Sequence, residues 1–354
     1  ATFVDAHRQP GTSSPHMRRP PLRVRLQRPV VLCRAVHTRQ RAPPAEAEAE
    51  VRRCNGLIAD CGRRKLWQQA VSVLFRMNTE GLLPGTVTYN ATISACVRGR
   101  RWDLAGGLLQ QLRLDHLRPD KVTCSTAINA CQRGQRWAEA IGLVWQFLEA
   151  RLQLDVIACN TAISACEKSH KWETALGLLN RLPRLAVEPD VVSYNATISA
   201  CEKQGESTQA LGLLRQMRQA AARPDAITYS AAISACEKGH RLVEALDCWR
   251  QMQESGVRPD VVAYSSVISA VGRGHCWELA VDFLHRMRGG RVRPNVFTYS
   301  AAISACEKGQ QWPMALLILQ QMMRSGVRVD VVAYTAAISA CEKGHQWASS
   351  LGLL

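Results

Sequence analysis

From Val51 onward the chain repeats itself every 35 residues, nine times in succession, without an insertion or a deletion. Isoleucine returns at Ile58, Ile93, Ile128, Ile163, Ile198, Ile233, Ile268, Ile303 and Ile338, and a basic residue stands five positions after each. A strict period of this size argues against a string of independent globular domains, because one unit is too small to bury its own apolar face and must lean on its neighbours. The expectation is an all-α fold, an α-solenoid of stacked helix-turn-helix repeats over 51–354, with eight complete units and a ninth that stops at Leu354 inside its second helix. That stop predicts a longer parent chain, with room for an effector domain beyond the repeats.

The unit running from Val296 to Asp330 shows the pattern most cleanly. A Pro294-Asn295 pair precedes its first half, so a polar cap opens a helix that Gly309 closes. At 100° per residue, Tyr299, Ala302, Ile303 and Cys306 share one face, while Phe297, Ser300, Ser304 and Lys308 share the opposite one. The second half opens on Trp312 and Pro313, a proline tolerated in a first helical turn, and stays apolar until Gly326. Six of the eight complete units end in proline followed by Asp, Asn or Gly, which halts one helix and starts the next. Seven tryptophans (Trp67, Trp102, Trp137, Trp172, Trp277, Trp312 and Trp347) recur at one offset early in the second helix and are assigned to packing between helices.

Residues 1–50 are of another kind. They hold nine arginines, no lysine, seven of the fifteen prolines, and Asp5 as the only acid before Glu46. Such an Arg-rich, acid-poor leader predicts either an organelle transit segment or a disordered basic tail. The formal net charge of +16 favours an acidic partner such as nucleic acid. Eight of the fourteen cysteines (Cys61, Cys96, Cys131, Cys166, Cys201, Cys236, Cys306 and Cys341) occupy one offset, which predicts a buried row of small apolar side chains in a reducing compartment. No C-x-x-C pair and no apolar run of bilayer length occurs, so neither a metal, a cofactor, a small-molecule substrate nor a membrane is expected as a partner.

Three offsets share the polar side of the first helix. The second residue is apolar in eight units (Val87, Val122, Ile157, Val192, Ile227, Val262, Phe297 and Val332), although it faces away from the packed stripe. The fifth is always short and hydrogen-bonding: Asn55, Asn90, Ser125, Asn160, Asn195, Ser230, Ser265, Ser300 and Thr335. The thirteenth is always basic: Arg63, Arg98, Arg133, Lys168, Lys203, Lys238, Arg273, Lys308 and Lys343. An apolar ledge, a polar reader and a cation at a fixed repeat match the base face, base edge and phosphate of a single-stranded nucleic acid. The blander alternative is a solvated helix face on which neighbours such as Glu307 and Lys308 cancel; nine cations in nine units argue against it.

With these offsets the unit resembles the pentatricopeptide repeat, typified by Val191-Val192-Ser193-Tyr194-Asn195 at its start and Arg223-Pro224-Asp225 at its end. The uniform length is similar to the family's plain class, whose members bind organellar transcripts and influence their stability, processing or translation. The resemblance implies a right-handed superhelix and a chloroplast or mitochondrial location. It also implies one base per unit, read by the fifth residue with the last residue of the same unit and clamped by the apolar second residues. In the family's code Asn with Asp favours uracil, Ser or Thr with Asp favours guanine, and Ser or Thr with Asn favours adenine. The pairs Asn90/Asp120, Ser125/Asp155, Asn160/Asp190, Asn195/Asp225, Ser230/Asp260, Ser265/Asn295 and Ser300/Asp330 then give 5′-UGUUGAG-3′, with Thr335 lacking its partner. The first unit departs from the pattern, carrying Arg52 on the ledge and Gly85 at its end, and Cys54, Cys124 and Cys159 stand where the family has tyrosine. No catalytic constellation is visible: no histidine is followed two residues later by glutamate, as a zinc deaminase needs. The expected function is sequence-selective binding of single-stranded RNA without enzymatic activity, the alternative being a protein-interaction scaffold of stacked helix pairs.

Overall fold

The computed structural model describes residues 44–149 and 154–346. The leader up to residue 43, together with Trp347 and the residues after it, lies outside the described residues. The first helices of the nine units are α1 (Pro44–Arg63), α3 (Thr86–Arg98), α5 (Lys121–Arg133), α7 (Val156–Lys168), α9 (Val191–Gln204), α11 (Ala226–Lys238), α13 (Val261–Arg273), α15 (Val296–Lys308) and α17 (Val331–Lys343). The second helices are α2 (Trp67–Thr79), α4 (Trp102–Leu114), α6 (Trp137–Glu149), α8 (Trp172–Leu179), α10 (Ser207–Gln219), α12 (Leu242–Glu254), α14 (Trp277–Gly289) and α16 (Trp312–Arg324). Among the described residues there is no strand. Each first helix packs on the first helix of the next unit, and each second helix packs on the first helices flanking it, so the first helices form one continuous row.

Seven first helices are started by the side chain of the last residue of the preceding unit; Gly85, before α3, offers none. Asp120, Asp190, Asp225 and Asn295 each accept the backbone N–H of the third residue of the following helix, whose Ser or Thr hydroxyl returns a bond to the cap backbone. Asp155, Asp260 and Asp330 accept the same N–H from Ala158, Ala263 and Ala333, which have no hydroxyl to return.

Helix ends differ from the sequence expectation. Gly309 closes α15 with an ordinary φ of −82°, and the left-handed residue is the next one, Gln310, at φ 56°. Packing accounts for the glycine: a Cβ there would overlap the Trp277 ring of the preceding unit, as one at Gly99 or Gly344 would overlap Trp67 or Trp312, while Gly134 sits closely but less tightly against Trp102. The recurring tryptophan is thus an inter-unit wedge. A second departure falls in the fourth unit, where α8 ends at Leu179 and a 3₁₀ turn, Leu182–Leu185, follows. Pro183 has no N–H to continue the α-helical ladder.

The core is a set of repeated rows. Eight of the nine isoleucines, Ile58 through Ile303, are wholly buried, and seven of the eight row cysteines are buried beside them. Burial pushes the thiols of Cys131 and Cys201 up to about 12, so at neutral pH they pack as uncharged groups. Cys54, Cys124 and Cys159, the tyrosine replacements, are equally enclosed.

Candidate nucleic-acid interface

The ledge lies where the helical phase puts it. Val87, Val122, Ile157, Val192, Ile227, Val262, Phe297 and Val332 are each between 53% and 66% exposed, although the isoleucine six residues further along is wholly buried in all but the last of these units. Exposed apolar side chains repeated in line are costly unless something covers them, and a row of this kind marks an interaction surface.

Five of the seven fifth-and-last pairs come into hydrogen-bond reach, each at the end of its unit where the next one begins. Asn90 Nδ2 donates to Asp120 Oδ1 at 3.1 Å, Asn160 Nδ2 to Asp190 Oδ1 at 2.9 Å, and Asn195 Nδ2 lies 3.2 Å from both oxygens of Asp225. Ser230 Oγ stands 2.8 Å from Asp260 Oδ1, and Ser300 Oγ 3.0 Å from Asp330 Oδ1; each hydroxyl also reaches a carbonyl one turn back and has one proton to serve both. The other two pairs are not joined. Ser125 donates to the Lys121 carbonyl, and Ser265 to the carbonyls of Val261 and Val262, leaving Asp155 and Asn295 to cap their helices. Thr335 likewise bonds to its own helix, and Asn55 accepts from the Thr88 hydroxyl at 2.7 Å.

The face assignment of the fifth residue needs correction. Helical phase puts it on the open side, yet Asn90, Asn160, Ser230, Ser265 and Ser300 are only 4–9% exposed. The following unit closes over them, so the readers sit on the floor of a groove whose rim is the ledge. At Asp120 burial alone would raise the carboxyl pKa, but donors from the Thr123 backbone and hydroxyl, Asn90 and the Val122 backbone outweigh it and hold it below the usual range. Asp190 is held low in the same way, by Ser193, Asn160 and the Val192 backbone against burial. Both present a charged acceptor.

All of the basic offsets from Arg98 to Lys343 are exposed, but they are not equivalent. Lys203 Nζ meets Glu167 Oε1 at 2.9 Å, Lys238 meets Glu202 at 2.8 Å, Lys343 meets Glu307 at 2.9 Å, and Arg273 bonds Glu237. In each case the glutamate is the twelfth residue of the preceding unit. Arg63 pairs within its own helix with Asp60. Among the described residues Arg98, Arg133, Lys168 and Lys308 have no ion-pair partner, because Gly62, Val97, Gln132 and Gly272 occupy the twelfth offset one unit earlier.

Units of this length and geometry are those of a recognised family. The sequence matches the PPR repeat family over 154–201, 189–238 and 259–308, the PPR repeat over 87–116, 227–257 and 297–327, and the pentatricopeptide repeat domain over 45–99, which together span more than half of the chain. The chain belongs to the pentatricopeptide repeat family. Its fold is similar to that of the pentatricopeptide repeat protein PPR10 solved in complex with an 18-nt psaJ RNA element, at a TM-score of 0.63 and 21% identity, covering 85% of this chain and 44% of that one. A form of that protein with cysteines replaced by serine, bound to the same RNA element, gives the same figures. PPR10 from maize, at 17% identity over 86% of this chain and 53% of that one, superposes at a TM-score of 0.39. This chain thus spans less than half the length of the RNA-bound structures it resembles, and at such identity the likeness bears on the fold alone. Comparison with curated proteins returned no match.

Two features of this pentatricopeptide repeat array escaped the reading by offset. One is the third residue: the Ser193 and Thr228 hydroxyls lie 2.5 Å from Asn160 Oδ1 and Asn195 Oδ1, locking those amides with nitrogen toward the aspartate. At Asn90 the equivalent Thr123 turns to Asp120, and Asn90 Oδ1 is left as a buried acceptor with no partner. The other is the glutamate clasp. A carboxylate one residue before a lysine suggests an i, i+1 pair, but such neighbours do not face each other on a helix; the side chains meet across units, 36 residues apart.

Proposed function

We propose that the chain is a sequence-selective single-stranded RNA-binding protein of a chloroplast or mitochondrion that acts by occupancy, shielding or remodelling a transcript and so affecting its stability, processing or translation. The observation that carries this reading is the groove: an exposed apolar rim, reader pairs five of which are already in hydrogen-bond reach, and a row of exposed cations, all at one 35-residue pitch. Bases stacked against the rim would turn their edges to Asn or Ser and Asp on the floor, while the phosphates face the cations. Family membership and the fold shared with an RNA-bound relative support it. The organellar location rests on the basic leader and on the family resemblance.

Salt-titrated binding of 5′-UGUUGAG-3′, its shuffled counterpart and a duplex of the same sequence tests the proposal. The single strand should bind tighter than the shuffled one and the duplex, with log affinity falling against log salt at about −0.7 per phosphate contact. Equal affinity for all three, or a flat slope, would favour a peptide groove built on the apolar rim.

A further inference from the structure

The third residue of each unit tracks the fifth residue of the unit before it. At a separation of 33 residues the four asparagines of the fifth offset are followed by Thr88, Thr123, Ser193 and Thr228, each with a hydroxyl, whereas Ser125, Ser230 and Ser300 are followed by Ala158, Ala263 and Ala333. The remaining junction, Ser265 with Thr298, belongs to the unit that closes on Asn295 where its neighbours close on aspartate; there Thr298 gives its proton to Asn295 Oδ1, at 2.8 Å. Helix capping does not require this match, since α7, α13 and α17 start on Asp155, Asp260 and Asp330 with alanine at the third offset.

Proton supply does account for it. An asparagine on the groove floor brings an amide oxygen that needs a donor, while a serine brings its own proton and needs none. Ser193 Oγ lies 2.5 Å from Asn160 Oδ1 and 2.9 Å from Asp190 Oδ1, with a single proton to give. Asp190 Oδ1 already accepts the Ser193 N–H and Asn160 Nδ2, both at 2.9 Å, so that proton goes to the amide oxygen. Thr228 and Asp225 hold Asn195 in the same way. Both amides are pinned at oxygen and nitrogen, and each keeps one N–H, a donor, for whatever enters the groove. Asn90 differs. Thr123 turns to Asp120 Oδ1 at 2.8 Å, the Asn90 amide is held only through Nδ2 at 3.1 Å, and its buried oxygen has no partner. An amide held at one end can turn, and turning relieves the orphaned oxygen when a ligand supplies a donor.

We infer that the hydroxyl at the third offset of the following unit is a positioning residue for specificity: resting on the single-stranded RNA reading above, Ser193 and Thr228 restrict Asn160 and Asn195 to a base carbonyl and so separate uracil from cytosine, whereas the unpinned Asn90 accepts either pyrimidine. The carbonyl of uracil accepts the remaining amide N–H. Cytosine carries an exocyclic amino group in that place, so donor would face donor. The second, fourth and fifth units share one Asn-Asp pair and differ in stringency, and the difference is set by a residue outside each unit.

Binding of 5′-UGUUGAG-3′, its shuffled counterpart and three heptamers with cytosine at the first, third or fourth position tests this on the full chain and its Ser193→Ala and Ser193→Thr variants. In the parent, cytosine at the third or fourth position should weaken binding at least about fivefold, the lower end of what one hydrogen-bonded base edge discriminates, and at the first position less than about twofold. Ser193→Ala should reduce the third-position penalty to that of the first and leave the fourth as it was, and Ser193→Thr should keep both. Alanine already stands at this offset in α7, α13 and α17, so the variant has a helix start the chain uses elsewhere. A purely structural role for Ser193 would lower affinity for all the heptamers alike. Equal penalties at the three positions in the parent, an unchanged third-position penalty in Ser193→Ala, or a loss spread evenly over the heptamers would overturn the inference. If one of these occurs while the parent still prefers the heptamer to its shuffled counterpart, the positioning role alone is refuted; no preference over the shuffled strand would refute the RNA reading and the inference with it.

Discussion

Units two to four and units five to nine carry the same offsets and differ in electrostatics. Arg98, Arg133 and Lys168 face Gly62, Val97 and Gln132 and keep their charge for solvent, whereas Lys203, Lys238, Arg273 and Lys343 are clasped by Glu167, Glu202, Glu237 and Glu307. Lys308, opposite Gly272, is the exception in the second group. The cation of one unit therefore cannot be understood without the twelfth residue of the unit before it. A clasped cation has a compensated field and must leave a carboxylate to meet a phosphate; a free one does not. On the RNA-binding proposal the early units, with Lys308, hold the RNA backbone, and the later units read bases on a groove closer to neutral.

The largest expected effect follows directly. Changing Arg98, Arg133 and Lys168 together to Gln should flatten the salt slope of RNA binding by about 2, at roughly 0.7 per lost phosphate contact. The matching triple change of Lys203, Lys238 and Lys343 should flatten it by less than about 1 and weaken all sequences alike. Equal slopes from salt-titrated anisotropy would erase the distinction between the two regions.

The clasps themselves differ in depth. Glu237 is 7% exposed and accepts both Ser269 and Arg273, while Glu167 is 21% exposed. Glu237→Ala, which takes a largely buried charged acceptor away from Ser269 and Arg273, should cost about 1–3 kcal/mol in urea unfolding. Glu167→Ala should cost no more than about 1 kcal/mol, as for other surface pairs. The two variants losing equal stability would show that burial does not set the strength of the clasp.

A smaller effect tests the capping duty of the aspartates that the RNA-binding proposal also assigns to base reading. Asp190→Ala removes a helix cap and should destabilise the chain by about 1 kcal/mol at neutral pH. Because the folded-state pKa of Asp190 is depressed, its contribution is complete above the ordinary carboxylate value of about 3.9 and is lost as pH falls through the lower folded value. Parent and variant should therefore converge in stability below pH of about 4, read by thermal unfolding across pH. A difference that persists undiminished in acid would remove the charge from the explanation.

The period, the helix pairs and the buried isoleucine and cysteine rows are legible in the residues themselves, because each depends on one unit and its identical neighbour. The start of α15 at Val296 and of α16 at Trp312 could be placed from the Asn295 cap and the Trp312-Pro313 pair. What the offsets could not show involves two units that differ. The burial of Ser300, the lock of Ser193 on Asn160 and the clasp of Lys203 by Glu167 each require knowing which residue of the next or previous unit comes into reach. Gly309 looked like a cap because helix ends favour glycine; the Trp277 ring that a Cβ there would overlap lies 32 residues earlier, whereas Ser169 and Gln204 hold the same offset behind Trp137 and Trp172. The short α8 was readable from Pro183, a break inside the unit that the regular pitch concealed.

Selection of bound RNA from a random pool, run in parallel on the full chain and its Asn295→Asp variant, tests the central claim most directly. The parent should enrich 5′-UGUUGAG-3′, and the variant the same core with adenine replaced by guanine at the sixth position. Asp retains the cap that Asn295 gives Thr298, so the fold is preserved while the base edge is changed, with discrimination of about 1–3 kcal/mol by analogy with direct readout in DNA. No common core, or one unaltered by the substitution, would contradict the assignment of the fifth and last residues as readers.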